Sequence, residues 1–330
     1  MFKAIYLTKE NQQFSARLEN LDEAQLPAEG DVLARLEYSS MNYKDGLAIA
    51  NRGPVVRTWP MVAGIDCAGV VESSANPEFK VGDAFAVTGC GLGELHWGGL
   101  AQKARLRSEW LVRLPPPLDT KRAMAIGTAG YTAMLCVLAL EKHGLTPASG
   151  DILVTGASGG VGSVAIALLH KLGYRVIAST GKLAEKDYLK ALGAAEVIDR
   201  SLFSAPGGKP LQKVRFAGVV DSVGSHTLAN ACAQTGYGGA VAACGLAQGM
   251  DFPTTVAPFI LRAITLYGID SGSTPKVLRA EAWRRLAHDL DLPTLDAMMQ
   301  EITLPQALPA AQEIVAGRVR GRLVVNVNAE

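Results

Sequence analysis

The chain has 330 residues, 48% of them hydrophobic, enough to fill two cores of ordinary domain size, since domains run about 100–200 residues. Lysine plus arginine (32) against aspartate plus glutamate (31) leaves a formal charge of +1, and no basic block interleaved with aromatics offers a polyanion surface, so nucleic acid is not an expected partner. Cysteines 67, 90, 136, 232 and 244 are odd in number, scattered and free of C-x-x-C spacing, which argues against a disulfide framework or a local zinc site and fits a reducing cytoplasm.

MFKAIYLTKE alternates like a strand and lacks the basic n-region and apolar h-region of an export signal. No uninterrupted apolar run reaches the roughly 18 residues of a membrane span, so no membrane partner is expected. Residues 1 to about 118 are short β-rich segments (FKAIYL, DVLARLEYS, GVVESS, DAFAVTG, AQKARLR, WLVRLP) cut by Gly, Pro and Asn, as in a small closed or partly closed β unit. PPP at 115–117 ends it. From about Lys121 helix and strand alternate: an Ala-rich helix (121–143), strand DILVTGA, helix VGSVAIALLHKLG, strand RVIAST, helix EKDYLKALGA and strand EVIDR. Strand FAGVVDSVG, a helix around 225–236, and strands AVAACG and ITLYGIDS follow. About six strands separated by helix-length segments predict an α/β, doubly wound parallel sheet. After Ser271 comes a helix with Val277, Leu278, Trp283, Leu286 and Leu290 as its apolar face, then strand, helix and strand. The expected organisation is 1–120, 121–271 and 272–330, the last a return to the first domain.

TGASGGVG (Thr155–Gly162) sits between the strand ending at Thr155 and the helix starting near Val161, the context a phosphate-binding turn needs. A helix N-terminus offers unpaired N–H groups and the positive end of its dipole, and glycine lets a phosphate approach the backbone. A pyrophosphate is expected against Ser158, Gly159, Gly160 and Val161. An NAD site carries an acidic residue about 20 positions on, to accept from the ribose 2′-hydroxyl. Here that place reads Ser179, Thr180, Gly181, Lys182, with no carboxylate. Arg200, ending the neighbouring strand in a 3-2-1 order, can reach the same spot, so NADPH is preferred over NADH. The later strand ends, Asp221–Gly224, Cys244–Leu246 and Gly268–Ser271, should border the nicotinamide half.

A resemblance then covers essentially the whole chain. The order of β-rich domain, glycine-turn domain and C-terminal return resembles the medium-chain dehydrogenase/reductase superfamily, implying a GroES-like first domain beside a Rossmann domain. SSMNYKDGLA (39–48), PMVAGIDCAGVV (60–71), HWGGLAQKAR (96–105), AIGTAGYTAML (125–135), STGK (179–182) and KALGAAEVIDR (190–200) are similar to the NADPH-dependent acryloyl-CoA reductase group, whose members are often labelled quinone oxidoreductases. Zinc-dependent members carry a Cys near MNYKDG and a His-Glu pair near GIDCAG. This chain has Asn42-Tyr43-Lys44-Asp45 and Ile65-Asp66 there, so no metal is expected.

The resemblance implies hydride transfer to the β-carbon of an α,β-unsaturated thioester, with charge collecting on the thioester oxygen and the α-carbon taking a proton. It makes Tyr43 the first choice for an active-site hydroxyl beside the nicotinamide, with Asn42 and Asp66 as neighbours. Leu246, Ile260, Ser271 and Arg322 are implied cofactor contacts, with Arg318 and Arg320 competing for the last. Arg52 and Arg57 are candidates for coenzyme A phosphates, and His96 is expected to be structural. The partner is an enoyl-CoA or a quinone, and pairing through the edge strand ITLYGIDS suggests a homodimer. The alternative class is a non-enzymatic NADPH-binding or redox-sensing protein.

Overall fold

The computed structural model describes residues 1–11 and 13–330. It divides into one unit of residues 1–128, 272–287 and 295–330, and another of residues 129–271 and 288–294.

The first unit opens with β1 (Phe2–Glu10) and β2 (Gln13–Leu21), continues through β3 (Val32–Met41), α1 (Tyr43–Ile49), β4 (Met61–Val62), β5 (Asp66–Ser74), β6 (Ala84–Thr88), β7 (Lys103–Leu106) and β8 (Val112–Arg113), and runs into α2 (Thr120–His143). The second contains β9 (Ile152–Val154), α3 (Gly160–Lys171), β10 (Val176–Thr180), α4 (Lys186–Ala191), β11 (Glu196–Asp199), α5 (Ser201–Ser204), β12 (Phe216–Asp221), α6 (Ser225–Gln234), β13 (Thr235–Ala243), α7 (Ala257–Leu261) and β14 (Thr265–Gly268). The chain closes with α8 (Lys276–Asp289), α9 (Leu292–Met298), β15 (Met299–Thr303), α10 (Ala307–Val315) and β16 (Arg322–Asn326).

In the first unit β2-β1-β4 form a small sheet, and β15-β16-β3-β5-β6-β8, with β7 also on β3, form a larger one. Inward residues from both, among them Ile5, Leu36, Phe85 and Val325, share one core with Leu100 from the loop before β7. Strand β2 has no counterpart in the sequence reading because its side chains are mostly half-exposed or exposed and show no apolar face. Helix α1 is absent from that reading too, since seven residues are too few to establish a helical period. On α8 the buried stripe is Arg279, Ala282, Trp283 and Leu286. Val277 and Leu278 were expected on it but point outward, because at 100° per residue they fall outside the arc that the 279-282-283-286 spacing defines.

The second unit is a six-stranded parallel sheet in the order β11-β10-β9-β12-β13-β14, which is third, second, first, fourth, fifth, sixth. Strands β9 and β10 are buried along their whole length, as central parallel strands are. Helix α3 stops where Gly173 takes φ 87° and Tyr174 N–H reaches back to the Leu169 carbonyl, a glycine-terminated cap. Helix α2 is long and apolar enough to cross a membrane by length and composition, but 83% of its most apolar window is buried in the protein. It is interrupted at Gly127 (φ 50°, ψ −163°), and the division between units falls one residue later, after Thr128.

Candidate functional site

The glycine turn lies where β9 gives way to α3. Gly156 has φ 59°, a left-handed conformation glycine adopts without a Cβ penalty, and a Cβ there would sit 2.4 Å from Ser222 Oγ. Gly159 caps α3, and a Cβ on Gly162 would lie 2.5 Å from the Gly156 carbonyl oxygen. The spacing G-x-x-G-x-x-G thus makes the turn tight and lets α3 start against it. The sequence reading singled out Ser158, Gly159, Gly160 and Val161 and missed the structural pair Gly156 and Gly162, although the three-residue spacing was there to see. Asp221, at the end of β12, braces the turn by accepting Thr155 Oγ1–H (2.6 Å) and Gly224 N–H (2.8 Å). Burial pushes its carboxyl up, against these donors.

The end of β10 lies alongside. Thr180 Oγ1 hydrogen-bonds Ser158 Oγ (3.1 Å) and accepts Lys182 N–H (3.0 Å), tying the STGK segment to the glycine turn. The Arg200 guanidinium lies across Gly181, so closely that a Cβ there would be 2.6 Å from Nε and 2.8 Å from Cζ. Burial pulls the Lys182 ammonium below its usual range, and Glu185 opposes that. Ser179 Oγ is buried without a hydrogen-bond partner, a hydroxyl whose desolvation the protein alone does not repair. Two cationic side chains, hydroxyls and a helix N-terminus fit a phosphorylated dinucleotide with an extra phosphate on its ribose.

The other expected cofactor residues are more scattered. Leu246 follows β13 and is exposed, and Ser271 follows β14. Ile260, 70% exposed, sits on α7, whose end is tied through Arg262 to the carbonyls of Ala233 near the end of α6 and Thr235 at the start of β13. Cys244 donates its Sγ–H to the Asp221 carbonyl (3.3 Å).

In the first unit the MNYKDG and GIDCAG segments meet. Asp66, fully buried, accepts four hydrogen bonds: from Ser40 Oγ (2.7 Å), Asn42 Nδ2 (2.9 Å) and Thr128 N (2.8 Å) on Oδ2, and from Thr128 Oγ1 (2.5 Å) on Oδ1. The break at Gly127 turns the Thr128 N–H toward this carboxylate; a Cβ at 127 would lie 2.5–2.8 Å from Arg322 Nη2, Asp66 Oδ2 and Ser40 Oγ. Arg322, 2% exposed, donates to Asn42 Oδ1 (3.1 Å) and to the Ala125 carbonyl (2.8 Å). Burial pushes its guanidinium down, while Asp66 and Asp45 hold it up. Tyr43, the first residue of α1, is 44% exposed.

Three of the expected site residues are held by these contacts. Asp66 takes three of its four hydrogen bonds on Oδ2 and one on Oδ1, and the Asn42 amide is engaged at both ends, so the two residues are tied to each other and to their neighbours. Arg322, expected as a cofactor contact, directs Nε and Nη1 to acceptors inside the first unit. Of its competitors, Arg318 is paired bidentately with Glu313. His96 packs its ring against Trp110 (4.8 Å between ring centroids, planes tilted by 47°), with burial and Arg107 pulling its imidazole pKa down. Arg52 and Arg57 are exposed.

Two family models match this chain: the alcohol dehydrogenase GroES-like domain over residues 28–116, and a zinc-binding dehydrogenase domain over residues 160–288. The residues present do not fit zinc. Asn42, Tyr43, Ile65 and Asp66 stand where thiolate and imidazole ligands are needed, and among the described residues no group of three or more His, Cys, Asp or Glu side chains could hold a metal ion. The acrylyl-CoA reductase AcuI of Ruegeria pomeroyi is 48% identical over 331 residues, covering 100% of both chains. YhfP of Bacillus subtilis, provisionally named a quinone oxidoreductase, is 43% identical over 328 residues and 99% of each chain. Among solved structures, YhdH of E. coli K-12 with bound NADPH matches with a TM-score of 0.96 at 50% identity, covering 98% of this chain and 100% of that one.

Proposed function

This chain belongs to the medium-chain dehydrogenase/reductase superfamily, in its zinc-independent group of acrylyl-CoA reductases and quinone oxidoreductases, and from that membership we propose that it reduces the C=C bond of an acryloyl-CoA-like enoyl thioester with NADPH. It is an NADPH-dependent oxidoreductase. The observation that carries the cofactor reading is Arg200 lying across Gly181 beside Lys182, at the end of the strand where an NAD site keeps a carboxylate.

When bound, NADPH supplies the hydride that reduces the β-carbon. The Ser158–Val161 turn at the start of α3 balances the pyrophosphate charge, and Ser179, Thr180, Gly181, Lys182 and Arg200 hold the 2′-phosphate. Leu246, Ile260 and Ser271 are further proposed cofactor contacts. Tyr43 supplies the hydroxyl that donates to the thioester oxygen as negative charge collects there, the kind of preorganised donor that lowers such a barrier. Asn42 and Asp66 serve it as positioning residues. Exposed Arg52 and Arg57 take the phosphates of coenzyme A.

Two copies pair through β14, which among the described residues has a sheet neighbour, β13, on one side alone. The five free cysteines support a cytoplasmic setting. A quinone acceptor is the second reading, favoured by the likeness to YhfP. Steady-state NADPH oxidation with acryloyl-CoA, crotonyl-CoA and a 1,4-quinone decides between them. The expected ranking by kcat/KM puts acryloyl-CoA first, and a quinone at the head of the series overturns the thioester reading. Sedimentation at micromolar concentration tests the dimer, a monomer being the contrary result.

A further inference from the structure

Asp45 on α1, Asp66 on β5 and Arg322 on β16 come from distant parts of the sequence and converge on one neutral side chain, Asn42. Its Nδ2 donates to Asp66 Oδ2 (2.9 Å) and Asp45 Oδ2 (3.1 Å), its Oδ1 accepts from Arg322 Nη1 (3.1 Å), and its backbone N–H donates to Asp45 Oδ2 (2.8 Å). The amide can take one orientation only. Flipping it would set NH2 against a guanidinium and C=O against two carboxylates. Asn42 is the N-cap of α1, and Tyr43 is the next residue.

Three buried charges are a poor way to stabilise a fold, because apolar residues of the same volume would do as well or better. What such a cluster provides is a fixed geometry. We propose that the Asp45–Asp66–Arg322 cluster is a positioning device for the active-site hydroxyl: by locking Asn42 it fixes the first turn of α1 and the direction in which Tyr43 leaves the backbone. The proposal rests on the reading of Tyr43 as that hydroxyl.

The cluster also carries a pH dependence. Asp45 accepts hydrogen bonds at both oxygens, from Ile65 N–H (2.8 Å) on Oδ1 and from Asn42 on Oδ2, so the geometry is that of a carboxylate. Burial first, and the Asp66 charge second, push this carboxyl up to about 7 against those donors. The charged groups facing it are Asp66 from β5 and Arg322 from β16. Helix α10 approaches α1 at Gly46 with the Ala311 carbonyl and the methyl groups of Ile314 and Val315. Protonation puts an O–H where Asp45 now accepts an N–H, and Asn42 is released.

The test is kcat for acryloyl-CoA reduction from pH 5.5 to 9 in wild type, Asp66→Asn, Asp45→Asn and Tyr43→Phe, with cooperative unfolding and NADPH affinity as checks on folding. Wild-type kcat should fall as pH drops through about 7. Asp66→Asn should move that break to lower pH, because the neighbouring charge is gone, and cut kcat by up to about a hundredfold with KM for NADPH unmoved. Asp45→Asn, the alternative should Asp66→Asn not fold, should abolish the break. A merely structural cluster would lower the unfolding midpoint and leave the break where it was. A break unmoved in the carboxylate variants, or a folded Asp66→Asn with wild-type kcat, overturns the proposal while leaving Tyr43 in its role. Full activity in Tyr43→Phe overturns the Tyr43 reading itself, and the positioning claim with it.

Discussion

The glycine turn of the second unit and the Asp66 cluster of the first use opposite materials. The turn is contiguous, Thr155 to Gly162, and its chemistry is backbone N–H groups and missing Cβ atoms. The cluster gathers Ser40, Asn42, Asp45, Asp66, Thr128 and Arg322 from separate elements, and its chemistry is side-chain charge sealed from water. The turn is proposed as a surface for a ligand, whereas the cluster gives its neighbours a position to keep. Substitutions in the cluster should therefore be felt in stability and kcat, and substitutions around the turn in cofactor choice.

The largest effect expected is Asp66→Leu. It strands the Thr128 N–H, the Ser40 hydroxyl and part of the Arg322 charge in an apolar interior, and should cost about 3 kcal/mol in urea-induced unfolding. A loss within the ordinary range of surface substitutions would mean the cluster is better hydrated than its burial implies. Gly127→Ala comes next, at about 2–3 kcal/mol by the same measurement, because its φ of 50° with ψ of −163° is a glycine conformation and the new methyl meets three polar atoms. Around the turn, Arg200→Ala should leave the unfolding midpoint alone and reduce the NADPH over NADH preference in kcat/KM about tenfold to a hundredfold, the worth of a hydrogen-bonded charge contact of ~1.5–3 kcal/mol; Lys182→Ala should act in the same direction. An unchanged preference in both would remove the 2′-phosphate assignment. Gly181→Ala should have a smaller effect of the same sign, since it displaces Arg200 without removing it.

The smallest test is a titration. The Asp45 carboxyl is raised in the folded state to about 7 from an ordinary 3.8, so between these values the native chain holds a proton that the unfolded chain has released. Its contribution to stability is thus greatest below about 4, is lost as pH rises toward 7 and stays flat above. Urea midpoints of wild type and Asp45→Asn, compared across that window, should show a slope in wild type that the variant lacks.

The same contrast explains what the sequence made legible. The second unit could be read strand by strand because each βαβ step leaves a local signal: an apolar run, a turn, a helical period, as from Ile152 through Lys171. Its candidate site is likewise made of short stretches, a turn and the next strand end, so the residues to propose could be picked from the sequence. In the first unit the strands were visible where they alternate, as in β3 and β6, and invisible in β2, which has little to bury. Asp66 and Arg322 were noticed by resemblance but not the contact between residues 322 and 42, because nothing local says that residue 322 faces residue 42. Gly127 was invisible in an Ala-rich helix, where a glycine passes for a small residue; its reason lies in Asp66, 61 positions away by subtraction of the two numbers.

The turn's construction also bears on how this scaffold can change over generations. A recognition surface built of backbone offers mutation nothing to grade: a side chain at Gly156 or Gly162 collides, and no intermediate version of the contact exists. Inheritance can preserve that loop or lose it, without a path of small adjustments between. On the proposed 2′-phosphate assignment, divergence in cofactor choice would be channelled to the few side chains from Ser179 to Lys182 and to Arg200, where a carboxylate, a hydroxyl or a cation can replace one another while the loop beside them stays as it is.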